Sequence, residues 1–480
     1  MKQSLCIVRL PLLALVAVAA CTNLDPRYER PAAPVPATYP NGPAYNVSSD
    51  ANGRRVPDIG WREFLRDERL VRLVDVALAN NRDLRVAALN VGAAQSQYRV
   101  QRAALAPSVS ASAERSATRN PLSTVPTTDS WSTGLDATWV LDLFGRLQSQ
   151  SRAALEQYFA TAYARNAVQV LLVAQVADQY LTVLAADEQL VVTRATLAAA
   201  QASYDIVKLQ FDTGTANELT LRLAQSTVEQ AQVNIAALTR ARAQAENALV
   251  LVLGQPVPVD LPPVVPLSAQ AIVADIPAGL PSALLERRPD ILEAEAQLRS
   301  QNASIGAARA AFFPTIDLTV SVGTASPALS GLFGAGSAAW TFVPTLTQPI
   351  FQGGALRSSL DLATVRKDIA IAQYEKAIQT AFREVADGLA GRGTYDEQLA
   401  AQQRYTATQR RRLELAQFRY RNGVDTYLNV LTAQTDLNNA ELALVAARLN
   451  RLTNLVDLYR ALGGGWTASA ELEAPNRSDA

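Results

Sequence analysis

Leu147-Gln148-Ser149-Gln150 opens, and Lys208-Leu209-Gln210-Phe211 closes, a stretch without a single proline. Within it Val168, Leu171, Leu172 and Val176 keep helical spacing. About 65 residues of helix span roughly 100 Å, at about 1.5 Å per residue. Coiled coils and tunnels contain helices of that length; ordinary globular domains seldom do. Ala is frequent and charge sparse along it, so neighbouring helices can lie close.

The stretch ends in a tight turn, Asp212-Thr213-Gly214-Thr215, and a shorter helix is predicted over about 218–253. The pattern then returns. A second long stretch ends at Arg421-Asn422-Gly423-Val424, with a shorter helix over about 425–462. Gly214 and Gly423 lie 209 residues apart. Asp187-Glu188-Gln189-Leu190 recurs at the same offset as Asp396-Glu397-Gln398-Leu399, Gln225 as Gln434, and Leu253-Gly254 as Leu462-Gly463. A period this long is no solenoid unit; it is a duplicated half-molecule.

Each half opens with a helical pattern, about 67–106 and 281–313, stopped by Pro107 or Pro314. The period then changes to two. Val109, Ala111 and Ala113 alternate with serines, and after a loop from Asn120-Pro121 to Asp129 the residues Trp131, Leu135, Trp139 and Leu141 alternate with polar ones, Asp136 and Asp142 among them. In the second half Ile316, Leu318, Val320 and Val322 do the same, and Trp340, Phe342, Leu346 and Ile350 mark the returning strand beyond a Gly/Ala/Ser loop. Apolar on one face, polar on the other and aromatic near an end is the pattern of a transmembrane β-strand. Gly331, Gly334 and Gly336 open no helix after a strand, so they make no phosphate loop.

The segments are therefore a signal peptide, 1–20; an extended Pro-rich arm, 21–60, whose end Trp61 and Phe64 dock; a first repeat, 61–254, with a β-hairpin at 107–144; a crossover, 255–280; a second repeat, 281–463, with a hairpin at 314–351; and a tail, 464–480. Four strands cannot close a barrel, and lipid does not tolerate an open sheet edge. Three copies give twelve strands and a water-wide lumen. The predicted fold is mainly α with a membrane β-barrel: four strands per chain in a trimeric twelve-stranded barrel, a long α-helical periplasmic barrel and a mixed equatorial region.

Composition sets the exclusions. Of 480 residues, 44 are Lys or Arg and 44 Asp or Glu, so no basic surface for nucleic acid is implied. There is no histidine and one methionine. No interior run reads as a membrane-spanning helix. No metal site or cofactor is predicted, and no Ser or Cys sits in a nucleophile setting, so an enzyme is the least favoured class. Lys2 and Arg9 precede an apolar core, Leu10 to Ala20, as in a secretory signal. Small residues before Cys21 resemble the bacterial lipobox, which makes Cys21 the lipidated mature N-terminus. Thr22, in place of the aspartate that retains lipoproteins in the inner membrane, favours the outer membrane.

Leu280-Pro281-Ser282-Ala283-Leu284-Leu285-Glu286-Arg287-Arg288-Pro289-Asp290-Ile291, with Ile305-Gly306-Ala307-Ala308-Arg309-Ala310-Ala311-Phe312-Phe313-Pro314, resembles the outer-membrane efflux lipoproteins of the OprM type, relatives of TolC. So do Phe351-Gln352-Gly353-Gly354, Tyr420-Arg421-Asn422-Gly423-Val424 and Ala461-Leu462-Gly463-Gly464-Gly465-Trp466. The first motif also reads as a helix start, capped through Pro289, Asp290 and Glu293. The resemblance implies a homotrimeric exit duct of a tripartite multidrug efflux pump. It is anchored by palmitate and embedded in outer-membrane lipids. A periplasmic adaptor joins it to an inner-membrane transporter of the resistance–nodulation–division class, and drugs or other amphiphiles pass through.

It also implies adaptor-contacting tips, Thr213, Gly214, Thr215, Asn422, Gly423 and Val424, and a periplasmic gate on the helix after the second turn. The family's acidic gate positions fall on Asn429 and Thr432, and a further arginine position on Thr435, so this chain departs at all three. Tyr420 and Leu428 match, and Asp425 is expected to tie to Arg421 or Arg222. An exit duct of a type I protein secretion system and a periplasmic structural coiled-coil lipoprotein remain the alternatives.

Overall fold

The computed structural model describes residues 24–45, 59–119, 127–270, 272–273 and 287–464. Cys21, the signal segment, Leu280 to Glu286, and Gly465 onward lie outside the described residues. The elements follow in order: α1 (Trp61–Phe64), α2 (Glu68–Asn80), α3 (Arg82–Ala103), β1 (Ser108–Arg119), β2 (Thr127–Leu141), α4 (Arg146–Asp212), α5 (Glu218–Leu253), α6 (Pro289–Ala310), β3 (Thr315–Ser326), β4 (Ala338–Thr347), α7 (Ala355–Arg421) and α8 (Tyr427–Ala461). Both long helices hold 67 residues.

Three features differ from the sequence reading. The first ascending helix is two helices, broken at Asn81, whose backbone is extended there (φ −61°, ψ 132°). The Asn81 side chain accepts from Leu84 N at 2.9 Å, capping α3, and donates to Val252 O at 2.8 Å. Strand β3 continues to Ser326 and β4 begins at Ala338, so the glycine-rich loop is shorter than expected. Helix α4 does contain a window long and apolar enough to cross a membrane, over half of it buried. Leu172, Val176, Ala177 and Leu181 of this helix pack inside the protein.

The chain divides into two units. One comprises residues 1–33, 89–162 and 293–376. Its sheet is antiparallel, in the order β1-β2-β3-β4, so the two hairpins of the duplication meet through β2 and β3. The register lays apolar residues in rows: Val109, Ala137, Val320 and Phe342 form one, and Ala111, Leu135, Val322 and Trp340 the next. On this apolar face Trp340 is 75% exposed and Phe342 55%. The opposite face is polar. Ser112 and Ser321 donate to Asp136 at 2.5 and 2.6 Å. Strands β1 and β4 form the free edges.

The N-terminal arm is gripped by the same unit. Asp25 accepts from Ser149 Oγ and Arg152 Nε at 2.6 and 2.7 Å, and Pro26 O accepts from Asn302 at 2.7 Å. Glu295, 3% exposed, accepts from Tyr28 at 3.1 Å and from Arg30 and Arg299 at 2.6 Å each. Burial opposes the Glu295 charge, but both guanidiniums outweigh it and lower the carboxyl pKa. Burial, reinforced by Glu295, pushes the Tyr28 phenol up to about 12.

The other unit comprises residues 34–88, 163–292 and 377–480. Its core includes Phe64, Leu70, Leu73, Leu181, Leu253 and Leu458, each 1% exposed or less. Each is worth about 1.5–3 kcal/mol of burial. Phe64 stacks on Tyr459 with ring centroids 4.0 Å apart. Gly254, at φ +73°, ends α5 beneath the Asn80 carbonyl, where a Cβ would collide with the backbone. The duplication extends to ion pairs: Arg242 binds Asp187, and 209 residues later Arg451 binds Asp396.

Arg288 explains the motif that precedes α6. Its side chain is 7% exposed and reaches Asp290 at 2.5 Å, Glu384 at 2.9 Å and the Ala461 carbonyl at 2.9 Å. Burial disfavours the cation, but the two carboxylates override it and raise its pKa.

Candidate functional site at the hairpin tips

Both tips are built by the same local chemistry. After α4, Gly214 takes φ +78°, a left-handed conformation that L side chains adopt poorly. The chain then folds back. Thr215 N and Ala216 N both donate to Gln210 O, at 2.7 and 3.0 Å. Thr213 Oγ1 donates to Leu209 O and Thr215 Oγ1 to Gln210 O, each at 2.9 Å, and Asn217 caps α5 by accepting from Thr220 N at 2.9 Å. After α7, Gly423 takes φ +70°. Val424 N donates to Arg419 O at 3.0 Å, and Asn422 Nδ2 to Phe418 O at 2.7 Å. Val424 is 63% exposed. The six predicted tip residues thus occupy two matched turns.

Directly behind the turns the four long helices share an apolar cluster. Val207, Ala224, Tyr427 and Val430 are buried, packed by Tyr204, Leu221, Leu413, Ala416, Tyr420 and Leu431. Burial raises the Tyr427 phenol pKa. Tyr420 leans on Tyr427, centroids 5.5 Å apart, and its hydroxyl donates to Gln210 Oε1 at 2.8 Å. That bond ties the first long helix to the second across 210 residues of sequence.

The gate candidates at and beyond the second turn separate into two groups. Asp425 is held by three donors: Asn429 Nδ2, Thr426 N at 2.8 Å and Arg419 Nε at 3.2 Å. Those bonds, Asn429's first, lower its pKa, so it is ionised at neutral pH and charge-matched by Arg419. The expected partners were Arg421 or Arg222. Neither is used, because Asp425 folds back over the turn onto Arg419, while Arg222 binds Glu218 and Gln225. Leu428 is 55% exposed. Thr432 and Thr435 are exposed too, but each hydroxyl bonds to the carbonyl one turn back on its own helix, Leu428 O and Leu431 O. The exposed strip of α8 therefore offers an apolar side chain, an amide and two locally satisfied hydroxyls. Sequence reading missed Arg419, Gln210 and Arg412, the last of which binds Asp436 at 2.5 Å. Among the described residues no group of three or more His, Cys, Asp or Glu could hold a metal.

The model of the outer membrane efflux protein family matches residues 73–255 and 280–464. The chain is 46% identical to the solvent efflux pump outer membrane protein SrpC of Pseudomonas putida, over 96% of this chain and 98% of that one. It is 43% identical to outer membrane protein OprJ of Pseudomonas aeruginosa, over 96% of each. Its fold superposes on the open state of the Neisseria gonorrhoeae MtrE outer membrane channel with a TM-score of 0.84, at 39% identity, covering 93% of this chain and 99% of that one. With the duplicated hairpins, the outward-facing apolar sheet and the matched tips, these likenesses place the chain in the outer membrane efflux protein family, which comprises outer-membrane transport channels and not enzymes.

Proposed function

We propose that three copies of this chain form the exit duct of a tripartite efflux pump, conducting solvents, drugs and other amphiphiles passively out of the cell. The observation that carries this is the sheet: one face apolar and exposed, two free edges, and too few strands to close. Joining β4 of one copy to β1 of the next satisfies both edges and turns the rows of Trp, Phe, Leu and Val to lipid. An adaptor and an inner-membrane resistance–nodulation–division transporter complete the pump. The named substrates of relatives such as SrpC, a solvent efflux protein, support this cargo class. In SDS without heating, the mature protein is expected to run as a trimer and after boiling as a monomer. A monomer under both conditions sinks the reading.

Cys21 anchors the mature chain. Radioactive palmitate is expected to label the wild type and to leave Cys21→Ser unlabelled. Equal labelling of both would show that the lipid is elsewhere or absent. Assembly survives the change, because the barrel also holds the protein in the membrane.

The tips dock the adaptor. An added Cβ at Gly423 meets nothing within 4 Å, so the cost of substitution is torsional, about 1–2 kcal/mol for a left-handed L residue. That is enough to reshape one turn and too little to unfold the chain. Gly423→Val is expected to weaken adaptor co-purification and lower drug resistance while trimers persist. Resistance equal to wild type at equal expression counts against this role.

A further inference from the structure

The paired registers order the apolar face of the sheet row by row. Leu141, Ile316 and Leu346 form the row nearest the helices, where Trp139 Nε1 donates to Leu105 O at 3.0 Å, just past the end of α3. At the far ends of β1 and β2, Arg115 pairs with Trp131 on the same face; Asp129 and then Arg119 lie in the next two rows. No charged residue stands on this face between the Leu141 row and the Thr133 row. Trp131 precedes Leu141 by ten residues, about 33 Å along a strand at about 3.3 Å per residue. A strand tilt of about 40° leaves a height of about 25 Å, that of the apolar band of an outer-membrane barrel. Arg115, Asp129 and Arg119 therefore begin where hydrocarbon ends, at the headgroups of the outer leaflet.

Charge is sorted between the two faces by sign. Glu114, Asp136 and Asp317 stand on the polar face, whereas both arginines of the sheet stand on the apolar one. Solvation of the strand ends alone needs no such sorting. Arg115 Nη2 binds Asp129 at 3.2 Å, and its guanidinium lies over the Trp131 ring, 5.2 Å from the centroid. Both members of the ion pair are exposed, so it adds little stability. It does hold the guanidinium over Trp131, and a five-donor fork has N–H groups to spare. Arg119 is exposed four residues further along β1, about 13 Å on, and Ala117 lies between them on the same face. The connecting segments 120–126 and 327–337 contain no Asp or Glu that would repel an anion.

We infer that Arg115 and Arg119, with Trp131 at the edge of the apolar band, form a binding site on each copy for the bisphosphorylated glycolipid of the outer leaflet. This rests on the lipid-facing sheet proposed above. The acyl chains lie along the Leu135, Val322 and Trp340 row. One phosphate meets Arg115 and the other Arg119, each through the paired N–H bonds that a guanidinium offers a phosphate. The separation of the two arginines, with only a methyl side chain between them, suits a headgroup that carries two phosphates on a sugar unit. A lipid with a single phosphate engages one arginine at a time. Cationic side chains on the lipid face are costly at the midplane and cheap at the interface, so the site needs no compensation elsewhere in the fold.

The test uses the mature full chain, purified from outer membranes in detergent and incubated with one of three lipids: bisphosphorylated lipid A, the same lipid stripped of phosphate, or phosphatidylglycerol. Native mass spectrometry counts the lipid retained. The wild type is expected to retain the bisphosphorylated lipid about tenfold better than either of the others. Arg115→Ala combined with Arg119→Ala is expected to abolish that preference. Arg115→Lys is expected to keep part of it, because an ammonium lacks the planar fork, and Asp129→Asn to keep all of it. Equal retention of the stripped lipid overturns the inference, since the apolar band alone then holds the lipid. Equal retention of phosphatidylglycerol overturns it too, since any anionic lipid then serves, and so does displacement by excess inorganic phosphate. Wild-type protein alone decides those three outcomes, whatever the variants do to assembly. An unheated gel of the same sample reports assembly separately: trimers without the expected lipid refute this site alone, whereas monomers refute the duct as well.

Discussion

Leu428→Ser is expected to raise single-channel conductance in planar bilayers severalfold and to admit large antibiotics, while Asp425→Asn leaves both nearly unchanged. The reasoning starts from charge. A ring of free carboxylates at a constriction concentrates cations and favours their passage. At the positions where the family resemblance implies such groups this chain holds Asn429 and Thr432, and the carboxylate bonded to Asn429, Asp425, is matched by Arg419 at 3.2 Å. Its pKa lies below the usual carboxylate range, held there by Asn429, Thr426 and Arg419. The pair therefore persists at neutral pH and dissolves only in acid, as Asp425 protonates. Little net charge is left to select ions. Leu428, 55% exposed on the same strip, supplies an apolar side chain with no partner in its own chain to satisfy. Brought together by three copies, Leu428 would form a constriction that resists wetting, backed by the Tyr420–Gln210 bond. A marked cation preference that Asp425→Asn abolishes would show that the acidic ring has moved to Asp425, and the apolar gate would be withdrawn.

Arg288→Ala is expected to produce the largest loss of stability of any single change away from the barrel. The guanidinium satisfies Asp290, Glu384 and the Ala461 carbonyl together, and it is 7% exposed. Removing it strands partly buried carboxylates and a carbonyl, at a cost of about 3–5 kcal/mol. It also releases the start of α6 from the end of α8, which no other bond described here joins so directly. Trimer yield in the outer membrane and the temperature at which trimers dissociate on gels should both fall. Arg288→Lys should recover only part of the loss, because an ammonium cannot present the planar fork that spans Asp290 and Glu384. Wild-type dissociation temperatures in both variants would remove Arg288 from this role.

What the sequence determined by itself was everything written in local periodicity. The proline-free stretch from Leu147 to Phe211 is one helix, Pro107 and Pro314 stand between helix and strand, and alternation placed Leu135, Trp139 and Val322 on an outward apolar face. The 209-residue offset by itself establishes the duplication. Glycine at 214 and 423 marked the tips, because a left-handed turn needs no distant partner. Tertiary structure alone decided the rest. Asn81 breaks a continuous helical pattern because Val252 O lies within reach of its side chain. Asp425 chooses Arg419 over Arg421 and Arg222 because the turn carries it back along its own hairpin. Glu295 gathers Tyr28, Arg30 and Arg299, and Tyr420 finds Gln210. Several of these pairs are separated by more than 200 residues yet must approach to about 3 Å. Periodicity along a chain records which face a residue occupies, but only the packing of one helix on another fixes which polar groups on those faces come within hydrogen-bonding distance.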